Sequence, residues 1–297
     1  MLKNKCYCGN NKNINIVYNE KIRSGSYGNL TKKKHRILNC KKCDLTYLEN
    51  PKEKFFYETS EYRKKFNNSS TIKTHHKLHE DRLKKKIFKI GEKKFKKKKV
   101  IDVGAGAGTF LNIIKKHSSQ TIAIEPASFW HNYLKKKHLT FSYADDLIKK
   151  NIKADIVVSF DVIEHIDDPI KFLKDIKNIL NKNGVAYIAT PNYNDILMNL
   201  IPNTFSQFNF RTAHTLYFNE KSIKFFLKKA GIKKYKINYY HEMDFSNLLV
   251  WLKDKKPSGL NKLKIFNDSF EKFYISYLEK KKLSSHLWVE IKRWKNF

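Results

Sequence analysis

A chain of 297 residues with 41% hydrophobic and 14% aromatic side chains carries enough apolar surface for one full domain and a smaller one, which argues against disorder as its resting state. Its formal net charge of +33 comes from 61 Lys and Arg against 28 Asp and Glu, yet only six of those cations are Arg (23, 36, 63, 82, 211 and 293). Phosphate and base recognition recruits the bidentate Arg fork, whereas Lys, Asn, Ile, Phe and Tyr together are what an AT-rich genome writes, so the charge alone does not define a nucleic-acid binder.

No apolar run approaches the roughly 18 residues of a bilayer span. The start, MLKNKCYCGNNKN, has no apolar secretory core. The expectation is a cytoplasmic chain.

Residues 1–50 carry all four cysteines, Cys6 and Cys8 as C-x-C, then Cys40 and Cys43 as C-x2-C. Two close pairs about thirty residues apart can supply four thiolates to a tetrahedral zinc, which would staple a segment with little core; reduced, unliganded thiols are the alternative. Residues 51–97 are very basic and read as helix, with Leu78, Leu83, Ile87 and Ile90 near helical spacing. In this stretch His75, His76 and His79 can place two imidazoles on one helical face.

From 98 to 240, short apolar strands alternate with amphipathic helices. The strands are VIDV (100–103), TIAIE (121–125), LTFSY (139–143), DIVVSF (155–160) and VAYIAT (185–190). Between the last two, Asp167 or Asp168 can cap a helix, Pro169 fits its first turn, Leu173, Ile176 and Leu180 make one face, and Gly184 is expected to end it. A second such helix starts at Asn219 and stops at Gly231. This alternation predicts a doubly wound α/β fold with a parallel sheet. Residues 241–297 add a helical stretch at SNLLVWL, a Pro/Gly break at KPSG, another helix and a last strand, SHLWVEI.

In such a sheet ligands sit beyond the carboxyl ends of the strands. Gly104, Gly106 and Gly108 follow the first strand and leave no side chain between backbone and ligand. Thr109 stands where a dinucleotide fingerprint would want a further Gly. Asp102 precedes the glycines, Glu125 closes the second strand, where it can accept from two ribose hydroxyls, and Asp145 follows the third. Acids at successive strand ends suit a ligand with a ribose, an amine and no phosphates, such as S-adenosylmethionine.

VIDVGAGAGTF, AIEP, YADDL, IVVSFDVIEHIDDPIKFLKDIKNIL, GVAYIATPN and HTLYFNEKSIKFFLKKAGI, in that order, resemble the Rossmann-like (class I) S-adenosylmethionine-dependent methyltransferases of the small-molecule branch. The resemblance covers about residues 98–240. It implies a seven-stranded sheet with SHLWVEI as last strand, and makes 241–284 an insertion beside the substrate pocket. It puts the glycine loop against the methionine part of the cofactor, Glu125 on the ribose and Asp145 near the adenine amine, with Asp161 starting the acceptor-side loop. Some members carry a four-cysteine zinc segment ahead of the core, and NCKKCDLTYLENP resembles its second knuckle; the C-x-C pair departs from the usual spacing by one residue.

An acceptor hydroxyl would need a base, for which His165 and His214 are the candidates; bracing the loop is the alternative for each. Tyr193, Arg211 and Tyr217 lie where acceptor contacts are expected, and each serves equally well as packing. The acceptor class expected from the resemblance is a sugar, nucleotide sugar or polysaccharide precursor, methylated on oxygen or carbon. An RNA methyltransferase using the basic N-terminal region, or a cofactor-binding scaffold without turnover, are the rival readings.

Overall fold

The computed structural model describes residues 5–51, 58–59, 64–65, 71–257, 263 and 265–293. Ser258 and Gly259 of the expected Pro/Gly break, and much of 52–70 in the basic region, lie outside the described residues.

Two sheets organise the chain. The larger is a mixed sheet of seven strands in the order β10-β11-β8-β7-β4-β5-β6. Its members are β4 (Lys99–Val103), β5 (Gln120–Ile124), β6 (Leu139–Phe141), β7 (Ala154–Phe160), β8 (Leu180–Pro191), β10 (Tyr235–Tyr240) and β11 (His286–Lys292). β4 pairs in parallel with both β5 and β7, and β5 with β6. Ile101, Ile122, Val157 and Val158 are fully buried, as expected of parallel strands covered on both faces. The smaller sheet, β1-β2-β3-β9, is antiparallel and joins β1 (Ile14–Glu20), β2 (His35–Cys40) and β3 (Thr46–Leu48) to β9 (Leu216–Tyr217). Its strands β1–β3 fall in residues 1–50, where the sequence predicts none.

By packing, the chain divides into two compact units. One comprises Met1–Lys52, Ala189–Phe225 and Ile237–Trp288; the other comprises Glu53–Ile188, Phe226–Lys236 and Val289–Phe297. Each draws on several of the compositional segments.

In the second unit, α1 (Ile72–Ile90) opens on a Thr71–Thr74 capping box, and the expected apolar face is corrected. Leu78 is 50% exposed, whereas His75, Lys86, Ile87 and Ile90 are the buried positions. Polar anchors set the helix rotation: His75 and His76 both meet the Thr109 hydroxyl, at 3.2 and 2.7 Å, and Lys86 reaches Asp161. α2 (Thr109–Ile114), α3 (His131–Lys135) and α4 (Ala144–Lys149) follow β4, β5 and β6.

α5 (Pro169–Asn178) has Asp168 as cap, its Oδ1 accepting from the N–H of Ile170 and Lys171, with Pro169 in the first turn as expected. It ends earlier than Gly184, however, and both Leu180 and Gly184 belong to β8. The Arg293 guanidinium explains the early stop: it donates to the carbonyls of Lys177 (2.9 Å) and Leu180 (2.6 Å), satisfying acceptors a longer helix would have used. Asn183 takes the left-handed turn in place of the glycine.

In the first unit α6 (Ile196–Leu200), α7 (Pro202–Asn209), α9 (Phe245–Asp254) and α10 (Asp268–Lys280) share a core of Leu197, Phe205, Leu248, Trp251, Tyr274 and Leu278. A separate core of Ile22, Ile37, Leu48, Phe210 and Tyr217 sits under the small sheet. α8 (Glu220–Lys229) begins as expected at Asn219, whose Oδ1 accepts from the Ser222 N–H, and Gly231 follows it with φ +69°. Among the described residues no helix is long and apolar enough to cross a membrane.

Candidate functional site

The second unit gathers its acids where β4, β5 and β7 end. After β4 the backbone turns through Gly104, Gly106 and Gly108, all at positive φ. Gly104 is needed for space as well as conformation, because a Cβ there would stand 2.4 Å from Val162 Cγ2; at Gly108 it would stand 2.8 Å from Leu134 Cδ2. The loop is tied to the next strand by the N–H groups of Gly104 and Ala105, which donate to the Ile124 carbonyl at 2.8 and 3.1 Å.

Glu125 clasps this loop. Its buried carboxylate accepts from the Gly106 N–H (2.6 Å) through Oε2 and from the Ala127 N–H (2.9 Å) through Oε1. Asp102, buried at the end of β4, is pushed up to about 8 by desolvation, with the Glu125 charge adding and the Lys86 ammonium opposing. Asp161 follows β7 in the left-handed conformation, φ +57°. Its Oδ2 lies 3.0 Å from the Nζ of Lys86, a lysine only 1% exposed whose ammonium also sits 5.1 Å from the centre of the Phe160 ring.

Asp145 stands in the first turn of α4, exposed, and pairs with Lys171 at 2.8 Å. His165 closes a short 3-10 turn (Ile163–His165) beside the fully buried Glu164. The other histidines of the sequence reading meet hydroxyls and rings: His76 Nε2 is 3.2 Å from the Tyr133 hydroxyl, and His75 packs edge-on against Trp130 at 5.4 Å.

The first unit holds the cysteines. Cys6 and Cys43 approach to 3.5 Å between sulfurs and Cys8 and Cys40 to 3.8 Å, and all four sulfurs lie within 4.8 Å of one another. Two tight turns bring them together. The Gly9 N–H donates to the Cys6 carbonyl with Gly9 at φ +88°, and the Asp44 N–H donates to the Cys40 carbonyl with Asp44 at φ +61°. The hydrogen bond from Cys6 draws the Cys43 thiol down to about 6 and pushes the Cys6 thiol up.

His214, also in this unit, is buried, with its ring 6.1 Å from that of Tyr217. The Tyr217 hydroxyl is occupied by the Arg211 backbone, accepting from its N–H at 3.0 Å and donating to its carbonyl at 3.3 Å. Tyr193 stacks on Phe210. Both tyrosines pack on the Phe210 ring.

Residues 75–237, more than half of the chain, match a family model described as a methyltransferase domain. The chain belongs to this methyltransferase family. A tRNA U34 carboxymethyltransferase of Campylobacter jejuni is 28% identical over 164 residues, 51% of this chain and 55% of its own length. A ubiquinone biosynthesis O-methyltransferase of Pelagibacter ubique is 29% identical over 119 residues, 36% of this chain and 48% of its own. The chain thus spans about half the length of the curated relatives it matches. Among solved structures, a chain of the complex containing the Haloferax volcanii Trm112 methyltransferase activator shares the fold at a TM-score of 0.50 and 16% identity, covering 75% of this chain and 94% of its own.

Within the methyltransferase domain, the structure brings Asp102, the three glycines and Glu125 into one hydrogen-bonded and charge-coupled group. Asp161 enters through Lys86, while Asp145 is held by Lys171 on the surface. Lys86 and Glu164 are not marked as site residues by the sequence. A lysine in a run of lysines reads as solvated, and only its register with His75, Ile87 and Ile90 on one helix face could have flagged it.

Proposed function

We propose that the protein is an S-adenosylmethionine-dependent methyltransferase whose acceptor is a hydroxyl-bearing small molecule of the sugar, nucleotide-sugar or polysaccharide-precursor class, working in the cytoplasm. The observation that carries the cofactor is the Glu125 clasp. The N–H groups of Gly106 and Ala127 hold its two oxygens, so the carboxylate that would accept from the ribose hydroxyls is fixed in position beforehand, at the end of β5. The glycine loop at 104–108 would take the methionine part, Asp145 the adenine amine, and Asp161 would border the acceptor.

When bound, S-adenosylmethionine supplies a methyl group already activated on a sulfonium. The chain's own task is then alignment of an acceptor atom, a positioning effect of many kcal/mol. We assign the proton of an acceptor hydroxyl to one histidine, His165 or, as the alternative, His214.

The deciding experiment is calorimetric titration with S-adenosylmethionine and S-adenosylhomocysteine, beside Glu125→Ala. Two charge-assisted hydrogen bonds predict at least a tenfold loss in the variant, since each contributes about 1.5–3 kcal/mol. No binding by the folded wild type would overturn the reading.

The cysteines extend the proposal to a structural zinc held by Cys6, Cys8, Cys40 and Cys43. Zinc–sulfur bonds of about 2.3 Å in a tetrahedron separate the sulfurs by about 3.8 Å, and the observed 3.5 and 3.8 Å fit that spacing. Four protein ligands leave no open position, so the role is structural. One zinc per chain by elemental analysis, with lower thermal stability after chelation, is the expected result; a metal-free, equally stable chain would refute it.

One observation favours the RNA reading: Phe88, 87% exposed, shares the outer face of α1 with Lys73, Lys77 and Lys85. An aromatic among lysines suits a stacked base and phosphates. Affinity for tRNA falling steeply with salt would support it; salt-insensitive or absent binding would remove it.

A further inference from the structure

The first unit holds a second concentration of buried ionisable groups, away from the cysteines. At the end of β10 and the start of β11, His241, Glu242 and His286 are all buried, as is Asp195 ahead of α6. His241, Glu242 and His286 form one hydrogen-bonded knot around Ser285, while Asp195 Oδ1 accepts from the Leu197 N–H. The Ser285 N–H donates to His241 Nδ1 (3.1 Å), the Glu242 N–H donates to Ser285 Oγ (3.0 Å), and that hydroxyl also meets His286 Nδ1 at 3.0 Å. The His241 N–H donates to Glu279 Oε1, and the Tyr274 ring lies edge-on at 5.4 Å.

A backbone N–H can only donate, so Nδ1 of His241 is the bare nitrogen and the ring hydrogen sits on Nε2. That Nε2–H is buried, with no hydrogen-bond partner among the described residues, on a side chain only 4% exposed. Burial, with His286 adding, holds the imidazole down to about 4, and desolvation pushes the Asp195 carboxyl up to about 6. The ring is therefore neutral at pH 7 and donates from one fixed nitrogen.

A donor left without an acceptor in a protein interior is destabilising, and a purely structural core would fill the position with an apolar ring. Among the described residues these side chains do not converge closely enough to share a metal ion. Two carboxyl groups disfavour an anion. A ligand with several hydroxyls suits the set, because each hydroxyl both donates and accepts.

We propose that His241, Asp195 and Glu242 form a binding site for a neutral polyhydroxylated ring, a hexose either free or carried on a nucleoside diphosphate, with the His241 Nε2–H donating to one hydroxyl and the carboxyl groups accepting from others. This deepens the sugar-type reading of the acceptor. Binding is measured without cofactor, so either reading can fail alone.

The test is the imidazole nitrogen spectrum of the full chain, labelled at histidine, titrated with a panel of free hexoses, with UDP-hexoses and with UDP. A saturable shift of the His241 Nε2–H by free hexoses supports a free-sugar site, and a shift by UDP-hexoses but not UDP supports a carried sugar. His241→Phe keeps the aromatic volume and should weaken binding roughly threefold to tenfold, the effect of one hydrogen bond. His241→Gln retains a donor and should recover part of it, which also covers the case in which the Phe variant fails to fold. An equal shift by UDP alone, or no shift with any hexose at millimolar concentration, would overturn the proposal and leave His241 a structural residue solvated by an ordered water.

Discussion

Replacing Asp102 by Asn isolates the charge beneath the glycine loop. Burial raises this carboxyl from the usual 3.8 to about 8, Glu125 adding and Lys86 opposing. Between those values the folded chain holds a proton that the unfolded chain has released. Stability from this group is thus complete below pH 3.8 and declines as the pH rises toward 8. One proton corresponds to a slope of about 1.4 kcal/mol per pH unit, so roughly four units set a ceiling of about 6 kcal/mol. Relaxation and water entry around a buried carboxylate lower the expected total to about 2–3 kcal/mol. Asn keeps the shape and carries no charge. Urea unfolding of both proteins at fixed ionic strength from pH 5 to 9 measures the difference, in which the other titrating groups cancel. The variant should gain on the wild type up to about pH 8 and run parallel above it. A difference that stays flat over the whole range would mean that Asp102 is ionised in both states, and the burial argument would be wrong.

Gly104→Ala places a Cβ 2.4 Å from Val162 Cγ2 at φ +83°, so a loss of at least about 2 kcal/mol is expected in thermal unfolding, only partly relieved by adding Val162→Ala. A fully stable Gly104→Ala would show that the loop has room to shift. Lys86→Met removes a buried ammonium; because the Asp161 side chain is 35% exposed and screened, the expected loss is about 1–2 kcal/mol. Adding Asp161→Asn should restore most of it, and a double variant no better than the single would show that the 3.0 Å pair does not account for the burial of Lys86.

VIDV and DIVVSF were legible because continuous apolar runs have little alternative to burial on both faces, and β4 and β7 lie within a residue of them, whereas β8 starts five residues before VAYIAT and β10 was not expected as a strand. The glycine–acid pattern was legible for a similar reason, since Gly104 and Glu125 meet conditions that few other residues satisfy. The end of α5 was not. Its last carbonyls are taken by Arg293, more than a hundred residues away, which no local cap signal reports. Nor were β1–β3, where β1 is mostly exposed and β3 is three residues long, so neither shows a period. The rotation of α1 escaped because histidine–hydroxyl bonds, rather than leucines, decide which face turns inward.

The pairing of β3 with β9 joins Thr46 to Tyr217, about 170 residues later in the chain. During synthesis, therefore, the first three strands must wait for nearly the whole of the nucleotide-fold core to emerge before their sheet gains its fourth member. Contacts of such long sequence separation slow folding, since a large loop must close before they form. In the interval a metal knuckle, if residues 6–43 hold the proposed zinc, would need nothing from the rest of the chain and would fasten early a sheet that is completed late.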